Sequence, residues 1–292
     1  MTSPQSLPTA ATEPAQQPTE PPRSPAAAPV ERKRVTTRTL GRMRQAGKRI
    51  TMLTAYDYPT AAILDAAGID VLLVGDSLAM VVQGHDTTLP VTLDQMIYHA
   101  EMVARAAKRA MVVVDLPFPE GQLSLDRTLT AAARILKETR SHAVKLEGGA
   151  EQAERIGALA AAGIPVMAHV GLRPQNVHVD GGYVVQRDQE KLIHDAVVAE
   201  QAGAFAVLIE CVPAAIAAEI TRSLSVPTIG IGAGAETSGQ VLVTNDLIGL
   251  TSGYLPRFVT QLANVQQVVT DAVVAYRDAV RDGSFPTSQH EF

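Results

Sequence analysis

From residue 50 onward, short and continuously apolar runs alternate with longer alanine-rich stretches. The apolar runs cover residues 50–55, 71–75, 111–116, 143–147, 165–170, 204–210, 227–231 and 247–250. Most show no polar alternation, the pattern of parallel strands covered on both faces. The stretches between them read as helices over 59–67, 93–108, 125–139, 152–162, 189–202 and 213–223. Gly68, Gly163 and Gly203 stand where three of these helices stop before the next strand. Eight strands with interleaved helices predict a closed (β/α)8 TIM barrel, a single domain over residues 36–292. A further helix over 259–280 is expected to close it. The alternative is a doubly wound open sheet. It needs a dinucleotide fingerprint after the first strand, and Asp57-Tyr58-Pro59 stands there instead of a glycine-rich turn.

Composition narrows the class. With 292 residues, 46% of them hydrophobic, the chain can bury a sizeable core. Residues 1–35 hold eight of the 18 prolines and predict a disordered tail. The basic run Glu31-Arg32-Lys33-Arg34 reads as a solvated lead into the fold or a docking patch. A net charge of −5 and the lack of a dominant basic patch argue against nucleic acid as a partner. No apolar run approaches a membrane span, and the N-terminus lacks an apolar signal core. Cys211 is the single cysteine, so no internal disulfide exists, which fits a cytoplasmic location.

The chemistry of such a barrel sits where strands end. There the chain reads Gly75-Asp76-Ser77, Asp115-Leu116-Pro117-Phe118, Lys145-Leu146-Glu147-Gly148-Gly149, His169-Val170-Gly171 and Glu210-Cys211-Val212-Pro213. Buried strands rarely carry charge unless it is paired or bound to metal. Asp76 and Asp115 are candidate magnesium ligands, since that ion takes one or two carboxylates with waters and substrate oxygens. Helix caps or turns are the plain alternative for each. Glu147 on the neighbouring strand favours the metal. Zinc is disfavoured, because no histidine pair has ligand spacing and the cysteine is alone. Lys145 and Glu147 are two apart and share a strand face. They form a buried salt bridge, or place an ammonium on an anionic substrate. His169 is a satisfied core histidine or a donor to a substrate oxygen. Glu210, after an apolar run, reads as a general base with a raised pKa, or as a partner of Lys145. No neighbour marks Cys211 as an activated nucleophile. The glycines of 229–234 resemble a phosphate cradle but also suit any close backbone approach.

Several motifs together are more specific. Val74-Gly75-Asp76-Ser77-Leu78 and Gln83-Gly84-His85-Asp86-Thr87-Thr88-Leu89-Pro90-Val91-Thr92 closely resemble the 3-methyl-2-oxobutanoate (ketopantoate) hydroxymethyltransferase family. So do Asp115 to Phe118, Val144 to Gly149, His169 to Leu172 with Pro174-Gln175, Gly181-Gly182-Tyr183, Glu210 to Pro213 and Ile229 to Gly234. The likeness runs in order from about residue 36 to the C-terminus. It implies a barrel, a Mg²⁺ site, 5,10-methylenetetrahydrofolate as one-carbon donor and a role in pantothenate synthesis. Carried over by position, it implies Asp76 and Asp115 as metal ligands, with Glu147 at or just beyond them. It implies Ser77, Lys145 and His169 as holders of the 2-oxo acid and Glu210 as proton acceptor. It also implies a large homo-oligomer, often a decamer.

The chain departs from that pattern in its loops. Pro119-Glu120-Gly121-Gln122 replaces a stretch of small residues and tyrosine, and the loop after Gln186 is short. Serine replaces an expected aspartate around Thr237-Ser238-Gly239, and Asn245 stands where histidine is common. Two other readings are a Mg²⁺-dependent lyase or mutase of the phosphoenolpyruvate mutase and isocitrate lyase kind, and a catalytically silent scaffold. The first usually needs a reactive cysteine loop, and none stands near the third strand.

Overall fold

Seven of the apolar runs form parallel strands, most of them buried on both faces, and a further strand completes a set of eight. They are β1 (Ile50–Thr54), β2 (Val71–Val74), β3 (Met111–Asp115), β4 (Ala143–Glu147), β5 (Val166–Gly171), β6 (Ala206–Glu210), β7 (Thr228–Ile231) and β8 (Gly239–Leu242). Each pairs with its sequence neighbour, and β8 pairs with β1 to close the barrel. The computed structural model describes residues 33–292 apart from Ser252 and Tyr254. The expected tail, up to residue 32, lies outside the described residues.

Ten α-helices are present among the described residues: α1 (Thr37–Gln45), α2 (Tyr58–Ala67), α3 (Leu78–Val81), α4 (Leu93–Ala106), α5 (Leu125–Thr139), α6 (Ala153–Ala161), α7 (Gln189–Gln201), α8 (Ala214–Ser223), α9 (Thr244–Leu247) and α10 (Val265–Asp282). Their starts follow local chemistry. Asp57, Thr92, Ser124 and Asp188 each accept a backbone N–H of the first helical turn. Gly68 ends α2 in the left-handed conformation. None of these helices is long and apolar enough to cross a membrane.

Alternation along the strands divides the interior. Val71, Leu73, Met111, Val113, Ala143, Met167, Ala206 and Leu208 pack inside the barrel. Their neighbours Leu72, Val112, Val114, Val144, Leu146, Val166 and Ala168 pack outward against the helices. Val35 and, from α1, Leu40 and Met43 join the inner cluster. The same two-residue period carries the inward face onward to Asp115, Lys145, Glu147, His169 and Glu210. The strands therefore turn from apolar to charged within one alternation.

Two expectations are corrected. The eighth strand is Gly239–Leu242, not residues 247–250; Leu247 lies in α9. Its Gln240 is exposed and only Val241 is buried among its apolar residues, so it lacks the continuous run of a strand covered on both faces. Gly239 is required at this seam, because a Cβ there would run into the Ile50 carbonyl oxygen. The last helix begins at Val265, and none of its residues is buried. The β1–β8 ladder closes the barrel instead. Helix α1 was not foreseen.

Candidate active site

Six polar side chains meet at the C-terminal ends of β2 to β6. In register, Asp115 on β3 stands opposite Lys145 on β4, and Glu147 stands opposite His169 on β5. Gly171 stands opposite Glu210 on β6. Asp76, just after β2, joins them: its backbone N–H donates to Asp115 Oδ2 at 3.0 Å. All but Glu210 are buried, and the Glu210 side chain is 19% exposed, the opening a substrate needs.

Four carboxylates here face one ammonium. Burial raises the pKa of all four, to about 7 for Asp115 and about 7 for Glu210, and the Lys145 charge only partly offsets this. Burial alone would lower the pKa of Lys145, but Asp115, Glu147, Asp76 and Glu210 outweigh it and push it up. Lys145 is therefore a fixed cation. Its Nζ lies 3.4 Å from Asp115 Oδ1 and 3.0 Å from His169 Nδ1.

His169 is held neutral, first by burial and then by the Lys145 charge. An ammonium can only donate, so Nδ1 accepts and the ring proton sits on Nε2. Nε2 lies 3.3 Å from Glu210 Oε2, close but not aligned as a hydrogen bond. The partner of Glu210 is therefore the imidazole, and Lys145 reaches it only through the field. Ser77 accepts or donates a 2.8 Å bond with Tyr56 Oη, which is buried.

The residues present suit a hard cation. Glu147 Oε1 is buried with no hydrogen-bond partner among the described residues, and Asp115 Oδ1 has none beyond the Lys145 contact. Such orphan oxygens are costly unless something positive arrives. Among the described residues no three His, Cys, Asp or Glu side chains form a ready metal cage. Magnesium does not require one, since waters and substrate oxygens fill its remaining positions.

Sequence reasoning missed two neutral residues of this site. Tyr56 follows β1 and supports Ser77. Gln175, in the loop after β5, donates from Nε2 to Asp76 Oδ2 at 2.8 Å and from its backbone N–H to Glu147 Oε2 at 3.1 Å. The Pro174-Gln175 motif was its only trace in the sequence. The glycines of 229–234 have a packing role: a Cβ on Gly232 would meet the Phe258 ring, and one on Gly234 would meet Ala214. Cys211 is half-buried with its thiol pushed up to about 11 by burial and the Glu210 charge, so it is not an activated nucleophile.

Fold and site together define a (β/α)8-barrel protein with a cluster of acidic side chains around one lysine at the C-terminal ends of its strands. The family model for ketopantoate hydroxymethyltransferase matches residues 34–288. The chain belongs to that family, and is an enzyme. It is 66% identical over 261 residues to 3-methyl-2-oxobutanoate hydroxymethyltransferase of Rhodopirellula baltica, covering 89% of this chain and 97% of that protein. Among solved structures it resembles 2,3-dimethylmalate lyase, a PEP mutase/isocitrate lyase superfamily member, with a TM-score of 0.55 and 17% identity over 88% of this chain and 91% of that one. It also resembles phosphonopyruvate hydrolase in complex with oxalate and Mg²⁺, with a TM-score of 0.58 and 14% identity over 87% and 93%. At such identities these two likenesses concern the fold alone.

Proposed function

We propose that the chain transfers a hydroxymethyl group from 5,10-methylenetetrahydrofolate to 3-methyl-2-oxobutanoate, giving 2-dehydropantoate for pantothenate synthesis. The observation that carries this reading is the group of four carboxylates around Lys145, three of them buried. It sits in a chain two-thirds identical to a protein named for that reaction.

Asp76 and Asp115, with Glu147 at or just beyond them, would hold Mg²⁺. Bound there, the ion supplies positive charge for the keto oxygen as negative charge develops on it. The phosphonopyruvate hydrolase neighbour was solved with Mg²⁺ and oxalate, a small dicarboxylate. Lys145 offers a permanent cation to the substrate anion, and Ser77, fixed by Tyr56, offers a hydroxyl. Glu210 removes the C3 proton. With a pKa raised to about 7 by burial, it is ionised near neutral pH yet basic enough to accept a proton. His169, neutral and protonated on Nε2, lies 3.3 Å from that carboxylate and offers its N–H toward the same space. C3 then bonds to the folate-borne methylene carbon as its bonds to nitrogen break. Water supplies the hydroxyl oxygen, and tetrahydrofolate leaves.

The outer surface supports assembly. Val269, Val273, Tyr276 and Val280 of α10 are exposed and lie along one helix face. That uncovered stripe supports a homo-oligomer, and the family likeness suggests a decamer. The lone cysteine supports a cytoplasmic site of action.

The test is solvent-deuterium exchange into C3 of 3-methyl-2-oxobutanoate, with and without Mg²⁺, followed by addition of 5,10-methylenetetrahydrofolate. Mg²⁺-dependent exchange, then folate-dependent product, is expected. Absence of exchange would leave a silent scaffold. Cleavage of a 2-oxo acid without folate would favour the lyase reading.

A further inference from the structure

The carboxylates do not hold their own positions. Asp76 lies in a turn and Glu147 at a strand end. Among the described residues, the one neighbour with hydrogen bonds to both is Gln175, 99 residues from the first and 28 from the second. Its side-chain nitrogen has two protons. One goes to Asp76 Oδ2 at 2.8 Å and the other to the Leu116 carbonyl at 3.0 Å. Its backbone N–H takes Glu147 Oε2 at 3.1 Å. One residue in the loop after β5 therefore ties down the loops after β2 and β3 and the end of β4.

The orientation of that amide is itself fixed. Gln122 Nε2 donates to Gln175 Oε1 at 2.6 Å. The Asp76 carboxylate and the Leu116 carbonyl can only accept, so the Gln175 nitrogen must face them and its oxygen faces Gln122. A flipped amide would set two oxygens against each other at Asp76 and two nitrogens at Gln122. Gln122 lies in the loop after β3, so the donor to Gln175 Oε1 comes from that loop. Gln175 is buried, and its side-chain bonds leave each of its polar atoms engaged. Such a residue specifies geometry more than it adds stability.

We propose that Gln175, oriented by Gln122, is a positioning residue that sets the Asp76 and Glu147 carboxylates in the arrangement that takes a divalent cation. The proposal rests on the reading of these carboxylates as cation ligands. Gln175 leaves one oxygen of each free: Asp76 Oδ1 and Glu147 Oε1 receive nothing from it. Partners that orient ligating carboxylates typically contribute about 10- to 100-fold to metal affinity.

The experiment is calorimetric titration of the full-length, metal-free protein with MgCl₂, alongside thermal unfolding without metal. Gln175→Met keeps length, loses the two side-chain N–H donors to Asp76 and the Leu116 carbonyl, and leaves the backbone N–H on Glu147. It is expected to weaken Mg²⁺ binding by about 10- to 100-fold. Gln122→Leu, which touches no carboxylate, is expected to weaken it less, and to add nothing in the Gln175→Met background, since it acts through that residue. Asp76→Asn serves as the reference. Loss of binding in Asp76→Asn with unchanged binding in Gln175→Met overturns the positioning role and leaves the cation site standing. Unchanged binding in Asp76→Asn overturns the cation site itself. Should Gln175→Met not fold, full wild-type affinity in Gln122→Leu overturns the proposal on its own.

Discussion

Lys145 donates to His169 Nδ1 across 3.0 Å, from one strand to the next, and so decides which nitrogen of that ring carries the proton. The consequence reaches Glu210, which meets Nε2 on the far side of the imidazole. Lys145→Met removes the donor and the charge that, after burial, helps to hold the ring neutral. His169 should then titrate at higher pH, followed through its ring signals by nuclear magnetic resonance. A ring that titrates as in the wild type would dissociate the two residues.

Glu210→Gln keeps the size and removes the base. It is expected to bind 3-methyl-2-oxobutanoate normally and to lose C3 exchange by about 10²- to 10⁴-fold. In the wild type, exchange should rise with pH through about 7 and then level, because only the ionised carboxylate accepts a proton. Ordinary exchange in the variant would assign the base elsewhere.

The acidic ring also governs stability. Asp115 has a folded pKa of about 7 against an ordinary 3.8, raised by burial. A raised carboxylate pKa means the folded state holds the proton more tightly. Its contribution is full below about pH 4 and is lost as pH rises through about 7. Asp76, Glu147 and Glu210 shift in the same direction. Metal-free protein should therefore lose stability between pH 5 and 8, on the order of 3 kcal/mol from Asp115 alone, while His169, its pKa lowered by burial, offsets part of the loss as pH rises through the ordinary imidazole range. Mg²⁺ should shrink that loss by taking the place of the protons. Denaturant melts at each pH, with and without MgCl₂, read this directly; a rise in stability over that interval would contradict the charge assignment.

Tyr56→Phe preserves the buried ring and deletes the bond to Ser77. One neutral hydrogen bond is worth about 1 kcal/mol. KM for the 2-oxo acid is expected to rise about fivefold, with little change in kcat. Steady-state kinetics at saturating folate measure the split, and an unchanged KM would remove Ser77 from the substrate site.

Gly239→Ala tests the seam. The added methyl would press on the Ile50 carbonyl oxygen, which is backbone and cannot swing aside. A loss of about 1–3 kcal/mol is expected from such overpacking, read from urea unfolding. A neutral substitution would show that β1 and β8 do not meet there.

Seven strands were legible in the sequence because burial on both faces leaves continuous apolar runs, and seven helices, α10 among them with a later start than expected, were legible in the longer stretches around them. The exception was β8, where Gly239 and Gln240 interrupt the pattern while the more apolar segment 247–250 forms no strand. The charged site residues were legible for the complementary reason: Asp115, Lys145, Glu147, His169 and Glu210 interrupt apolar runs at one level. Tyr56, Gln122 and Gln175 were not. They are uncharged, sit in or beside loops, and matter only through contacts with residues far away in the chain. Helix α1 escaped because it lies before the repeat of strand and helix begins.

On β4, Ala143, Lys145 and Glu147 look into the barrel, while Val144 and Leu146 look out. A single residue inserted or deleted ahead of this strand would exchange the two sets. The ammonium and its carboxylate would then be driven into the oily layer beneath the helices, and the pocket would be lined with valine and leucine. Substitutions can tune this catalyst by degrees, but a frame slip of one residue in the fourth strand would erase it at once.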